Sequence, residues 1–259
     1  MSARFTGTAS RFTGATALVT GGGSGLGRAV ALAFAAEGAS VAVSGRTVAT
    51  LDETVALIEK AGGTAAAFPA DVSRADDMRA LVERTVARFG GLDVAVNNAG
   101  VLRGGGSTVG DLDAADWRTL LDVNVTGVLH ALQAEIAHMR AHGGGVIVNV
   151  GSNLGAHVRV PGTGGYAVSK AAVSALTRAA ALDHIGDGVR INAVSPGASE
   201  APMSLLPGET PEERAARLTS PLGRLTSAEE VAAAVLYLAS PAAGSVVGAD
   251  LVVDGGVAA

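Results

Sequence analysis

The chain contains no cysteine. Disulfides, thiolate metal ligands and a cysteine nucleophile are therefore excluded. Aromatic residues are few, with one Trp, two Tyr and five Phe in 259 residues. Lysine occurs only at Lys60 and Lys170. Charged residues make up 17%, which is low, and the net charge is −5. Without clustered Lys and Arg, nucleic acid is not expected as a partner. No apolar run approaches the length of a membrane span. The N-terminus lacks the charged-then-apolar order of a signal peptide. A cytoplasmic protein is the expectation these absences leave.

Hydrophobic residues make up 48%, and a chain of this length can bury a large core without staples. Arg4-Phe5-Thr6-Gly7 recurs as Arg11-Phe12-Thr13-Gly14 with no helix or strand period. Residues 1–11 read as a disordered extension, and 12–259 as a single domain. From there short apolar runs alternate with amphipathic segments. Strands are expected at Thr16–Thr20, Ser40–Ser44, Ala65–Pro69, Leu92–Val96, Val146–Val150, Val189–Val194 and Ala249–Val253. Helices are expected at Leu26–Glu37, Leu51–Ala61, Arg74–Phe89, Ala114–His142, Tyr166–Ile185 and Ala228–Ala239. This alternation means βαβ units. The fold class is α/β: a single-domain Rossmann fold, a doubly wound parallel sheet of about seven strands with helices on both faces. Pro196–Gly223 breaks the rhythm as a long strand-free stretch, of the kind that forms a lid or substrate loop, centred on 198–223.

The first strand runs into Thr20-Gly21-Gly22-Gly23-Ser24-Gly25-Leu26-Gly27. Gly21, Gly25 and Gly27 give a G-x-x-x-G-x-G spacing. Glycines here permit a tight turn and let the backbone approach a pyrophosphate at a helix N-terminus. An acid at the end of the second strand would bond a ribose 2′-hydroxyl and select NAD. Ser44-Gly45-Arg46 stands there instead. Arg46 can meet a 2′-phosphate, so NADP(H) is favoured and NAD(H) remains open.

Tyr166 and Lys170 are four apart at a helix start and share one face. An isolated phenol is a poor base at neutral pH. A nearby ammonium favours its phenolate and makes the pair a usable acid/base. Ser152 follows the fifth strand at the carboxyl edge of the sheet, where its hydroxyl can bond a substrate oxygen as charge builds there.

Together these residues resemble the classical short-chain dehydrogenase/reductase family over about residues 12–256. Thr20–Gly27 matches its TGxxxGxG loop, which places Gly21, Ser24, Gly25, Leu26 and Gly27 against the cofactor. Asp71-Val72 resembles its adenine-contacting pair. Asn97-Asn98-Ala99-Gly100 is its NNAG motif, which steadies the sheet and lies against the cofactor. Asn124 matches the family's catalytic Asn, and Ser152, Tyr166 and Lys170 the rest of its tetrad. Ser195-Pro196-Gly197 resembles the stretch at the nicotinamide, and Val253-Asp254-Gly255-Gly256 the C-terminal signature. The resemblance implies an NAD(P)-dependent oxidoreductase of ketones and secondary alcohols. Tyr166 would be the proton donor and acceptor. Lys170 would bond the nicotinamide ribose and lower the Tyr166 pKa. Asn124 would complete a proton relay. It also implies a homotetramer, or a homodimer, built on the long helices.

Two features depart from the family pattern. Ser152 and Tyr166 are fourteen apart, one more than the commonest spacing. Ala201 stands where the family often has a Thr that bonds the nicotinamide amide. Asn153, Leu154, His157, Met203, Leu205 and Leu206 are candidate substrate contacts. They are largely apolar and suggest an uncharged hydrophobic ketone or alcohol. His138 and His142 are four apart but lack a third ligand, so no metal site is expected. Trp117 reads as packing. The favoured activity is NADPH-dependent carbonyl reduction. The alternatives are an NAD-dependent alcohol, sugar or steroid dehydrogenase, or a catalytically silent dinucleotide sensor.

Overall fold

The computed structural model describes residues 10–199, 202–204 and 208–259. In chain order they form β1 (Thr16–Thr20), α1 (Gly25–Ala36), β2 (Ser40–Gly45), α2 (Val48–Lys60), β3 (Thr64–Pro69), α3 (Ala75–Phe89) and β4 (Val94–Asn97). There follow α4 (Ala114–Leu121), α5 (Gly127–Ala141), β5 (Gly145–Val150), a four-residue turn α6 (Asn153–Ala156), α7 (Gly164–His184) and β6 (Val189–Pro196). The last elements are α8 (Pro211–Arg217), α9 (Ala228–Ala239) and β7 (Asp250–Val253).

The strands are all parallel in the order β3-β2-β1-β4-β5-β6-β7. The chain winds outward from β1 to β3, then returns to lay β4 beside β1. Ligands of such sheets bind in the crevice where the winding reverses. Register explains the two cores. Leu18 lies level with Ala42 and Ala95, and these face α3, α5 and α7. Val19, one residue on, lies level with Val43 and Val96, and these face α1, α2 and α9. Buried on both faces, the strands carry continuous apolar runs.

The second copy of the N-terminal repeat belongs to the domain. Phe12 is fully buried, its ring edge-on to Phe34 at 4.9 Å, and Arg11 pairs with Glu37 at 2.7 Å. The first copy, Arg4–Gly7, lies outside the described residues. The expected helix Ala114–His142 forms over residues 114–141 with a π segment inside it. A π turn at Asp122–Thr126 separates α4 from α5, and Asn124 within it turns its amide onto the Val101 backbone. The described residues of the stretch after β6, up to Gly223, form no strand but include α8. Its signal is a capping box between Thr210 and Glu213, with Pro211 opening the helix. No helix among the described residues is long and apolar enough to cross a membrane.

A polar seam stitches the sheet to two helices. Asn97 Nδ2 donates to Glu135 Oε2 and to Asn149 Oδ1, each at 3.0 Å, and Asn149 Nδ2 donates to Thr177 Oγ1 at 2.9 Å. Glu135 is completely buried, and burial pushes its carboxyl up to about 7. Asn97 Oδ1 and Glu135 Oε1 both lack a donor, and the neutral acid carries one. The folded state therefore holds more protons than the unfolded chain between pH about 4.5 and about 7. Stability should fall as pH rises through that window, by on the order of 3 kcal/mol. Glu135→Gln keeps the shape and a donor without the titration. Thermal unfolding from pH 5 to 8 should show the Tm falling in the parent and flattening in Glu135→Gln. Parallel curves for the two would refute this account.

Candidate active site

The β1–α1 loop has the shape that its glycines allow. Gly21 and Gly25 have φ of 65° and 48°, left-handed values that favour glycine. A Cβ on Gly27 would stand 2.1 Å from the Gly21 carbonyl oxygen and 2.5 Å from Asn98 Nδ2. Asn98 clamps the loop from β4: its Nδ2 donates to Thr20 O at 3.0 Å, and the Asn98 and Ala99 amides donate to Thr20 Oγ1 at 3.1 Å. No side chain caps α1 at Ser24, and its first turn holds no acid. Uncapped amides, the positive end of the helix dipole and a loop without Cβ atoms fit a pyrophosphate.

Tyr166 and Lys170 project from the first turns of α7 toward the carboxyl ends of β4 and β5. Lys170 is buried, and its Nζ donates to Val150 O at 2.8 Å. A Cβ on Gly100 would lie 3.2 Å from Asn124 Oδ1 and 3.5 Å from Lys170 Nζ, so these groups converge on the NNAG backbone. Asn124 is fully buried. It accepts from Val101 N at 2.8 Å and donates to Val101 O at 2.9 Å and to Ser169 Oγ at 3.0 Å. The amide is thus spent on positioning, and the π turn around it reroutes the helix hydrogen bonds. Ser152 Oγ accepts from Leu154 N at 3.2 Å and lies close enough to the Tyr166 hydroxyl to draw its pKa down.

Burial pushes the Tyr166 phenol up to about 12, with Ser152 pulling the other way. Burial also pushes Lys170 down to about 8. Lys170 Nζ stands 5.9 Å from the Tyr166 ring centroid and is bonded to Val150 O. Burial outweighs the Ser152 contribution, and Tyr166 is a neutral phenol at pH 7.

At the β2 end Arg46 is exposed. Burial pushes the Asp71 carboxyl up, but Ser73 hydrogen bonds and the charges of Arg46 and Arg74 outweigh it and hold it below the usual range. Val72, against Gly127 of α5, accepts from His130 through its carbonyl. Pro196 ends β6, and Gly197 N donates to Val253 O at 2.9 Å. Asn153 Nδ2 donates to Asp254 Oδ2 at 3.1 Å, Leu154 is half-buried, and Met203 is exposed. Ala201, Leu205 and Leu206 lie outside the described residues. His157 departs from the expected substrate side: its Nε2 faces Asp250 Oδ2 at 3.0 Å, because a buried carboxylate on β7 draws it there. It borders a cavity of about 490 Å³ with Leu222, Thr226 and residues 252–256; Ser152 and Tyr166 do not line that cavity. His138 and His142 stack with ring centroids 4.1 Å apart, and no metal-ligating cluster occurs among the described residues.

A family model described as enoyl-(acyl carrier protein) reductase matches residues 21–258. The cis-4-hydroxycyclohexanecarboxylate dehydrogenase of Sinomonas cyclohexanicum is 42% identical, covering 94% of this chain and 96% of its own. The chain belongs to the classical short-chain dehydrogenase/reductase family. The cyclohexanol dehydrogenase of an Acinetobacter species is 40% identical over 92% of this chain and 93% of its own. A short-chain dehydrogenase of Burkholderia cenocepacia, solved with NADP, superposes with a TM-score of 0.86 at 36% identity, covering 96% of this chain and 100% of that one. The protein is an NAD(P)-dependent oxidoreductase acting between hydroxyl and ketone groups.

The sequence reading of this short-chain dehydrogenase missed Arg28. Its guanidinium donates to Gly23 O at 2.5 Å, Thr50 O at 3.2 Å, Thr54 Oγ1 at 3.0 Å and Glu53 at 2.9 Å. Thr54 Oγ1 also donates to Gly22 O at 2.9 Å. Both side chains hold the outer carbonyls of the glycine loop. A signal was present, because a cation in the first turn of a helix opposes the dipole and needs another reason to be there.

Proposed function

We propose that this dehydrogenase interconverts an uncharged, ring-bearing secondary alcohol and its ketone, with NADP(H) favoured over NAD(H). The observation that carries the chemistry is the Tyr166 phenol, close enough to Ser152 for that hydroxyl to draw its pKa down, with Lys170 buried one helical turn away. When bound, the nicotinamide supplies or accepts the hydride. Tyr166 gives its proton to the carbonyl oxygen during reduction and takes it back in oxidation. The Ser152 hydroxyl accepts from the Leu154 amide, which leaves its own proton to hold the substrate oxygen. Lys170 would hold the cofactor ribose and bring positive charge to the phenol, and Asn124 keeps the Gly100–Val101 backbone in place. The neutral phenol of the free chain suits ketone reduction. The ring is supported by the names of the two relatives, one of which names a carboxylate and the other an uncharged alcohol, and the lack of charge by the apolar side chains of Leu154 and Met203. Assembly as a homotetramer or homodimer is supported by Leu129 on α5 and by Val168 and Leu182 on α7, all exposed.

The cofactor assignment rests on Arg46 and on the absence of an acid at the end of β2. Titration of the purified protein should give tighter NADPH than NADH binding. Arg46→Ala should weaken NADPH about 10- to 100-fold, the worth of a charge-assisted hydrogen-bonded contact, and leave NADH unchanged. Equal affinities for NADPH in parent and variant would remove Arg46 from the site. A ketone panel of substituted cyclohexanones, read at the nicotinamide absorbance, tests the substrate class.

A further inference from the structure

One buried carboxylate collects three donors from three parts of the site. Asp250 opens β7, and its side chain is almost fully buried. Its Oδ2 accepts from Ser174 Oγ at 2.5 Å and from His157 Nε2 at 3.0 Å, and its Oδ1 accepts from Ser195 Oγ at 2.6 Å. A carboxylate only accepts, so His157 carries its proton on Nε2. Each donor adjoins a site residue. Ser174 lies one turn beyond Lys170 on α7. Ser195 immediately precedes Pro196-Gly197. His157 ends the turn that Ser152 begins.

That turn is pressed on the catalytic helix. Gly155 has φ of 111°, and a Cβ there would stand 2.3 Å from Ala167 O and 2.9 Å from Ala171 N. Its amide donates to Val158 O at 2.9 Å, and Val158 N donates to Asn153 O at 2.7 Å. One side of the turn therefore abuts α7 beside Tyr166. The other side is fastened to β7 through His157–Asp250 and Asn153–Asp254.

We propose that Asp250 is a positioning residue, and that its bond from His157 sets where Ser152 stands relative to Tyr166. The Ser195 and Ser174 bonds register β6 and α7 against the same carboxylate. The longer Ser152–Tyr166 segment would otherwise leave the turn underdetermined. His157 thus acts through Asp250 and does not touch the substrate. This rests on the proposed role of the Ser152–Tyr166 pair.

The test compares His157→Leu, His157→Gln and Asp250→Asn in ketone reduction, with cofactor affinity and Tm measured for each. His157→Leu should lower kcat about tenfold, since misplacing a reacting group by an ångström can cost up to about 100-fold. NADPH affinity, ketone KM and Tm should stay at parent values. His157→Gln, which keeps a donor, should recover most of the loss. Asp250→Asn should lower kcat similarly, and the double variant His157→Leu/Asp250→Asn should be no worse than the poorer single one. Parent-level kcat in His157→Leu overturns the proposal. So does a raised ketone KM in His157→Leu with Asp250→Asn silent, which would put the imidazole on the substrate. A joint fall of Tm, cofactor affinity and kcat would mark a general packing role and also overturn it. Activity surviving in Tyr166→Phe would instead sink the underlying assignment.

Discussion

Tyr166→Phe should lower ketone reduction by about 100- to 10,000-fold, the range a positioned acid contributes, while NADPH binding stays at its parent value. The substitution keeps the ring and its packing and deletes only the hydroxyl. It also deletes the partner of Ser152, so Ser152→Ala combined with Tyr166→Phe should cost much less than the product of the two single losses. Retention of activity within about tenfold would remove Tyr166 as the acid. Together with intact NADPH binding, it would favour a dinucleotide sensor on the same fold.

The direction of proton transfer gives this prediction a pH signature. With the phenol pushed up to about 12, its acid form is populated throughout the neutral range, so reduction should not fall steeply between pH 6 and 8 for want of the acid. Alcohol oxidation needs the phenolate. Its rate should climb with pH, and added positive charge near the ring should move that rise to lower pH. Lys170, held down to about 8 by burial, supplies such charge only while protonated. Lys170→Met should therefore slow oxidation most below pH about 8, where the lysine is protonated, and initial rates across pH 6 to 10 would show it. An unmoved profile in Lys170→Met would mean that the ammonium does not tune the phenol.

Those site residues were legible because their spacing is local. Tyr166 and Lys170 are one helical turn apart, and the glycine loop, the NNAG segment and Ser152 each follow a strand whose apolar run announces it. The parallel sheet was legible for the same reason. What escaped lies in polar residues placed inside apolar elements and partnered across the chain. Glu135 falls on a helix whose period alone does not distinguish a buried carboxyl from a solvated one; only Asn97, 38 residues away, gives it a place. His157 read as a pocket residue because it follows Ser152, whereas its partner Asp250 is 93 residues on. The π turn was hidden because it accompanies the Asn124 bonds to the Val101 backbone, a contact that no periodicity encodes. The Tyr166 shift escaped because burial, unlike a neighbouring charge, is not written in the spacing.

Arg190→Met should destabilise the fold by about 4 kcal/mol, or roughly 8–16 °C in Tm for a chain of this size. Arg190 is a buried cation in β6, beside the buried polar residues Asn192 and Ser195 of the same strand. Its Nη1 donates to the carbonyls of Leu238 at 3.0 Å, Ala243 at 3.1 Å and Val246 at 3.4 Å. Its Nη2 donates to those of Ala239 at 3.4 Å and Ser240 at 3.1 Å. These carbonyls end α9 and line the turn that leads to β7. The last carbonyls of a helix have no intrahelical donor, and here the planar guanidinium serves several of them at once, at the negative end of the dipole. Methionine fills the volume and offers no donor, so the buried carbonyls would be left to the cost of desolvation. Lysine has a single nitrogen and should recover only part of the loss. Thermal unfolding followed by circular dichroism checks the size, and ketone turnover at low temperature checks that the site survives in the folded fraction. A midpoint within about 2 °C of the parent in Arg190→Met would show that water replaces the guanidinium at these carbonyls. The position would then matter for strand register alone.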